Sequence, residues 1–355
     1  MIDGLDNVLE SYGQPGLTEL RRLLEELLGG REAEGHVLDQ QALQPRSFRV
    51  FRLQFLINGG ARQVIVKRLR PEIAQCSELL DRRWLPAVGM REHGPALLGS
   101  VAEPSGNCAW HVYDDLGHCE LDTNQLNREH ISAAIELIAQ LHTRFACHPL
   151  LGEVRLHGGD LGIHFYETNV RDAIYALSRL QPTAPQTELH RRLLQRLYDL
   201  RRELPQRAQA LEELGGPETL LHGDLWAINI FVIPTTHGLH TRLIDWDHVA
   251  VGPASYDLST FLLRLPPQER AWVVSAYGNE TSRAAGWTLP STPELNFLFE
   301  TAEYARIANR IIWPAIALVQ DRAPWGWDTL AEIEQWFENL KPVLPWENKA
   351  RAAVT

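Results

Sequence analysis

The stretch from Leu220 to Val251, "LLHGDLWAINIFVIPTTHGLHTRLIDWDHVAV", constrains this chain more than any other. Two apolar runs, Asn229–Ile233 and Thr241–Ile244, flank the turn-rich "PTTHGL", a pattern that reads as a β-hairpin. Asp224 stands five residues ahead of Asn229, and Asp245 and Asp247 follow the second run. Antiparallel pairing returns the chain to its starting end, so the hairpin brings positions 229 and 245 together.

The rest of the chain offers room for an enzyme built around these residues. A length of 355 residues favours two subdomains around a cleft. With 45% hydrophobic and 22% charged residues the chain is expected to fold throughout. Thirty-four basic against 45 acidic residues leave a net charge of −11, which argues against nucleic acid or an anionic membrane as partner and weakly favours a cationic ligand. The start, "MIDGLDNVLE", lacks the basic and apolar regions of a signal peptide, and no apolar run approaches the roughly 18 residues of a membrane span. Cys76, Cys108, Cys119 and Cys147 show neither a CxxC pair nor zinc-finger spacing, so reduced thiols in a cytoplasmic protein are expected. The oligomeric state is not legible.

Along the chain, Leu17, Leu20, Leu23, Leu24, Leu27 and Leu28 recur at helical spacing and stop at Gly29-Gly30. From Ser47 to Leu69, alternation on both sides of Asn58-Gly59-Gly60 predicts an antiparallel hairpin whose second strand carries Lys67. A helix-compatible stretch runs from Pro71 to about Trp84, then come strand candidates at Ala96–Val101 and Cys108–Tyr113 and the connector "DDLGHCE". Beyond Asn127 the pattern is helical, as in "EHISAAIELIAQLHTRF" and "ELHRRLLQRLYDLRREL", and strands are expected to return only at the hairpin after Asn229.

Phosphoryl transfer from ATP requires a carboxylate at the acceptor hydroxyl, oxygen ligands for Mg²⁺ and a cation on the phosphates. "HGDLWAIN" and "IDWD" supply the first two: Asp224 as the carboxylate, with Asn229 and Asp245 as oxygen donors. Asp and Asn are also common turn residues, which is the plainer reading of the same loop. A near-copy, "HGGDLGIHF", puts Phe165 rather than Asn five residues after Asp160 and has no returning IDxD, so it reads as a coincidental loop. His157, Asp160 and His164 in it lack a further ligand for a metal.

Three segments in order, "HGDLWAIN" (HxDxxxxN), "LIDWD" and "GPASYDLSTFLL", resemble the aminoglycoside phosphotransferase and choline kinase families, which share the protein-kinase-like fold. The resemblance implies a bilobal α+β protein, with a small β-rich lobe over residues 1–115 and a larger helical lobe over 116–355. It implies an ATP- and Mg²⁺-dependent phosphotransferase, GTP being the other donor the residues admit. The acceptor would be a hydroxyl of a small molecule: an amino alcohol, a sugar, a homoserine-like compound or an aminoglycoside. Carried over by position, Asp224 is the base and Asn229 and Asp245 are metal ligands. His222 orients the loop, Asp257 supports the loop backbone or caps a helix, and Asp247 is a nearby acid or a solvated carboxylate. Lys67 is the phosphate-pairing lysine, held by Glu78 with Glu72 as rival. "HVYDDLG" is the adenine-binding connector, acting through backbone groups near Asp114 and Leu116 with Tyr113 behind them. Where the family has a glycine-rich loop this chain reads "LQPRSFRVF", which leaves Ser47 or Arg46 to hold phosphate. For that reason a catalytically inactive ligand- or partner-binding module is the competing reading. A protein kinase is disfavoured, because "GPASYDL" follows Asp245 too soon for an activation loop. Acceptor recognition falls to "ETAEYARIANRIIWP" with Glu300, Glu303, Tyr304, Arg306 and Arg310, followed by Trp313, Trp325 and Trp327.

Overall fold

The computed structural model describes residues 2–29, 34–44, 47–123, 125–284 and 286–345. The strands are β1 (Ile2–Asp3), β2 (Gly35–Ala42), β3 (Val50–Ile57), β4 (Gly60–Leu69), β5 (Leu97–Ala102), β6 (Ala109–Asp114), β7 (Glu218–Leu221), β8 (Ile230–Thr235), β9 (Gly238–Leu243) and β10 (Ala250–Pro253). The first helices are α1 (Leu17–Leu28), α2 (Pro71–Leu79), the single turn α3 (Leu85–Ala87), α4 (Arg128–Phe145) and α5 (Leu151–His157). After them come α6 (Ile163–Ser178), α7 (Thr187–Leu214), α8 (Ser255–Leu263), α9 (Pro267–Thr281), α10 (Thr292–Gln320) and α11 (Trp325–Asn339). They form two compact units, Met1–Leu121 with Asn229–Asp247, and Asp122–Ile228 with His248–Thr355.

The first unit is built on a six-stranded sheet of order β1-β2-β3-β4-β6-β5, antiparallel except for the β1/β2 pair. The β3–β4 turn is Asn58-Gly59, with φ of 49° and 78°. Positive φ at both central residues is what a two-residue type I′ turn demands, and Asn-Gly is the pair that tolerates it. On β3, Phe51, Leu53 and Phe55 are buried while their neighbours are not. They pack with Val64 and Val66 of β4, Trp110 and Val112 of β6, and Leu20 and Leu24 of α1. Burying such side chains stabilises by about 1.5–3 kcal/mol each, which is what seats α1 on this face. The Trp110 indole N–H donates to the Pro15 carbonyl at 2.8 Å, so the helix approach is pinned as well as packed.

The β2 strand escaped the sequence pattern because none of its residues is fully buried and a register shift interrupts it between Val37 and Asp39. Pro71 opens α2 at its first turn, where its missing N–H is harmless. A π-helical turn, Leu80–Trp84, then continues to α3 and buries Trp84.

The second unit is mainly helical. Buried residues of α6, α7, α10 and α11, among them Val170, Leu193, Leu197, Ile311, Leu330 and Phe337, form one of its cores. Asn127 caps α4 by accepting from the Glu129 amide at 2.9 Å, and Ser291 with Glu294 forms a capping box at the start of α10. Strands return after Asn127 more often than the sequence pattern implies: β7 and β10 pair antiparallel in this unit, in addition to the β8–β9 hairpin of the first. "ETLL" and "AVGP" are four residues each and almost wholly buried, so neither shows the alternation that marks a half-exposed strand. Among the described residues no helix is long and apolar enough to cross a membrane.

Candidate active site

In the first unit the chemistry gathers at one end of β4 and β9. Lys67, on β4, lies opposite Val50 of β3 and His111 of β6. Its ammonium is ion-paired with Asp245 and donates to Asp247 at 2.7 Å. Burial pushes the Lys67 pKa down, but the charges of Asp245 and Asp247 and their hydrogen bonds outweigh it, and the net direction is up. The lysine is therefore a fixed cation.

Local structure explains why both acids reach the same group. The Ile244 amide donates to the Asn229 carbonyl at 3.0 Å, extending the β8–β9 ladder to the residue before Asp245. Asp245 then turns the chain with φ of 62°, a left-handed conformation that aspartate tolerates better than most residues. Trp246 is buried, with its indole N–H donating to the Leu243 carbonyl at 2.9 Å. With the indole sunk between them, the flanking carboxylates share one ammonium. Asn229 is nearly buried beside this turn. Hard oxygen donors of this kind, carboxylate and amide, suit Mg²⁺, so the donor set fits the ion that the sequence implies.

The lysine's neighbours correct one expectation. Glu78 does not hold Lys67. Its carboxylate lies 3.6 Å from His111 Nε2 and 3.6 Å from Arg82, while Glu72 pairs with Arg70 at 3.3 Å. The hairpin acids occupy the ammonium, and the register sets His111 beside Lys67 as the partner for Glu78. His111 is fully buried, and desolvation, opposed by Glu78, pulls its pKa down to about 4. Its Nδ1 is 2.9 Å from the Tyr113 hydroxyl. Burial, reinforced by Asp247 and Asp245, pushes that phenol well above its usual range, so Tyr113 remains a proton donor.

In the connector after β6, the Asp114 amide is committed to the Ala96 carbonyl at 2.9 Å. The backbone of Leu116 makes no hydrogen bond among the described residues. Asp115 receives Arg52 from β3 in a two-pronged ion pair at 2.6 and 3.2 Å, a buried tie that sequence inspection missed. Ser47 sits in an exposed turn, its hydroxyl donating to Gln44 Oε1 at 3.0 Å. Arg46 lies outside the described residues.

In the second unit, β7 leads into His222-Gly223-Asp224. Asp257, in the first turn of α8 and wholly buried, accepts from the His222 amide at 2.7 Å and the Gly223 amide at 2.9 Å. It does not cap its own helix. His142 of α4 adds its Nε2 at 3.4 Å, and the Tyr277 hydroxyl lies 2.9 Å from His142 Nδ1. A carboxylate only accepts, so Nε2 carries a proton toward Asp257. Desolvation would raise the Asp257 pKa, yet the hydrogen bond and charge of His142 and the His222 contacts reverse it, and the group is held below its ordinary value. His142 was missed because it carries no signal inside an ordinary amphipathic helix.

Gly223 has φ of 81°, and a Cβ there would lie 1.9 Å from the His248 carbonyl oxygen. Only glycine permits this approach. Asp224 is half-buried, and its carbonyl accepts from the Trp226 amide at 2.8 Å. The Arg264 guanidinium lies over the Trp226 indole, 3.3 Å from the ring centroid. Asp160 of the near-copy is occupied by Arg155 at 2.7 Å and the Gly162 amide at 2.9 Å.

Of the helical residues expected to meet an acceptor, Glu300 receives Arg207 at 3.0 Å, Tyr304 receives Arg196 at 2.9 Å, and Glu303 pairs with Arg306. Trp313 is exposed.

The sequence profile of the phosphotransferase enzyme family (APH) matches residues 41–291. The chain belongs to that family. No curated protein sequence matches it. Among solved structures, a choline kinase from Streptococcus pneumoniae is similar at 14% identity and a TM-score of 0.55, covering 91% of this chain and 99% of its own. A Plasmodium vivax ethanolamine kinase is similar at 10% identity and 0.59, covering 95% and 93%. A spectinomycin phosphotransferase in complex with ADP and spectinomycin gives 14% and 0.55, covering 92% and 95%. The fold is thus bilobal α+β and protein-kinase-like, and the enzyme's class is phosphotransferase.

Proposed function

We propose that the protein is a small-molecule kinase that transfers the γ-phosphoryl group of ATP, with Mg²⁺, to a hydroxyl of a small acceptor in the cytoplasm. The observation that carries this reading is the junction of Lys67 with Asp245 and Asp247, residues far apart in sequence that a phosphoryl-transfer site needs together. Residues 1–115 are the nucleotide lobe and residues 116–355 the catalytic lobe in this proposal. GTP remains an alternative donor to be tested beside ATP.

Asp224 accepts the proton of the acceptor hydroxyl as the new O–P bond forms and the bond to the β-phosphate oxygen breaks. The fixed backbone around it supports this role: Asp257 holds the two preceding amides and Gly223 removes any side chain from the turn. Lys67 contacts the phosphates, and its permanent charge suits it to that task. Asn229 and Asp245 would hold Mg²⁺, with Asp247 nearby, and the ion when bound neutralises phosphate charge. Adenine pairs with the connector at Leu116, where backbone groups have no protein partner, rather than with the Asp114 amide. Glu78 acts on the nucleotide side through His111, and Ser47 offers a hydroxyl to phosphate.

The test is transfer of labelled phosphate from ATP or GTP, with Mg²⁺, to a panel of amino alcohols, sugars, hydroxy acids and aminoglycosides. Asp224→Ala is expected to lower turnover by about 10²- to 10⁴-fold while nucleotide binding persists. Absence of both transfer and a nucleotide-induced thermal shift refutes the reading.

A further inference from the structure

The second unit arranges charge unevenly around the loop that carries Asp224. Glu303 and Arg306 form a closed pair, their side chains only 13% and 17% exposed. Arg306 also donates to Ser259 Oγ at 2.9 Å and to the Tyr256 carbonyl, and its guanidinium lies 3.8 Å from the Tyr256 ring centroid. Glu303 is therefore already neutralised from within the protein.

Two other arginines have no such partner. Arg264, at the end of α8, rests on Trp226, and Arg310 of α10 lies over Trp336 with 5.3 Å to the ring centroid. Neither has a carboxylate within ion-pair distance among the described residues. These groups share one electrostatic neighbourhood. Burial lowers the Arg264 pKa, Glu303 and Asp224 raise it, and Arg310 and Arg306 lower it further. Three guanidiniums thus face two carboxylates, of which one is consumed by Arg306.

A guanidinium stacked on an indole directs its N–H groups outward in its own plane, the geometry that grips a carboxylate or phosphate with two hydrogen bonds. An ammonium brought to the same place would meet two cations with only the Asp224 carboxylate left to offset them. Resting on the phosphotransferase reading and deepening it, we infer that the hydroxyl acceptor bears an anionic group, a carboxylate or a phosphate ester, seated on Arg264 and Arg310 beside the catalytic loop. This is opposite in charge to what the net acidity of the chain weakly favours, since the local arginines outweigh the distributed surface charge at short range.

The experiment compares glycerol 3-phosphate, glycerate, glycerol and ethanolamine as acceptors with ATP and Mg²⁺, alongside thermal shifts with each compound alone. The expected order of kcat/KM is anionic above neutral above cationic, with at least about a tenfold gap between the better anionic compound and glycerol. The rank of phosphate against carboxylate identifies the group. Arg264→Ala is expected to shrink the anionic-to-neutral ratio about tenfold through KM rather than kcat, and Arg264→Lys to recover part of it. Arg310→Ala, at an exposed position, gives the same direction and tests the inference even where Arg264→Ala fails to fold. Preference for ethanolamine, no anionic preference, or an unchanged ratio in both alanine variants overturns the inference while leaving the kinase reading intact. Failure of every acceptor together with failure to bind ATP overturns the kinase reading and this inference with it.

Discussion

Replacing Asp257 by alanine isolates the tie between α8 and the turn that carries Asp224. Asp257 is wholly buried and accepts from the amides of His222 and Gly223 at 2.7 and 2.9 Å and from His142 at 3.4 Å. Alanine leaves two short-bonded backbone donors buried without an acceptor, at about 1–3 kcal/mol each. The imidazole is the weaker third loss because its contact is long. The total is about 3–5 kcal/mol, a large part of the roughly 5–15 kcal/mol that holds a typical domain folded. Asp257→Asn keeps one acceptor oxygen but turns an N–H₂ toward a donor, so about half that loss is expected. Urea unfolding of both variants and the wild type, followed by fluorescence, measures the differences. The sign of the pH dependence is also set. The folded pKa of Asp257 is depressed, so its contribution is present above the unfolded aspartate value of about 3.9 and is lost as pH falls through the folded value. The stability gap between wild type and Asp257→Asn should therefore be full at pH 7 and narrow below about pH 4. An Asp257→Ala protein within about 1 kcal/mol of wild type at pH 7 would refute the reasoning.

Gly223→Ala forces a Cβ to 1.9 Å from the His248 carbonyl oxygen at a φ of 81°, so a loss of about 3 kcal/mol or more and a matching drop in Tm are expected. A Tm within about 2 °C of wild type would show that the turn relaxes more readily than its packing implies. Lys67→Met leaves Asp245 and Asp247 without their shared cation and is expected to lower kcat/KM for ATP by about ten- to a hundredfold. Because the Lys67 pKa is raised, its charge persists through neutral pH and is lost only above the usual lysine range. Nucleotide affinity that depends on a group titrating near pH 7 at this site would contradict the assignment.

Legibility from sequence followed the range of the interactions. Asn58-Gly59 announces its turn because the constraint is two consecutive dihedral angles, and those belong to the residues themselves. The spacing of Asp224, Asn229 and Asp245 was equally readable, since the β8–β9 hairpin pairs residues close in the chain. Both features are local. The small strands β7 and β10 were hidden because burial on every side erases alternation, and β2 because a half-exposed strand with a shifted register leaves little of it.

What decided the remaining residues was competition between distant groups, to which no spacing rule applies. Glu78 sits on a helix shortly after Lys67, yet Asp245 and Asp247 take the ammonium and Glu78 turns to His111. Asp257 stands where a helix cap is expected, but two amides from another element claim it. Arg264 and Trp226 carry no joint signal until folding lays one over the other. The sequence by itself determined the turns, the helical faces, the order of the chemistry-bearing motifs and the family they belong to. Only the tertiary structure decided which charge meets which, because electrostatic partnership depends on distance and desolvation in space, and those exist only once the chain has packed.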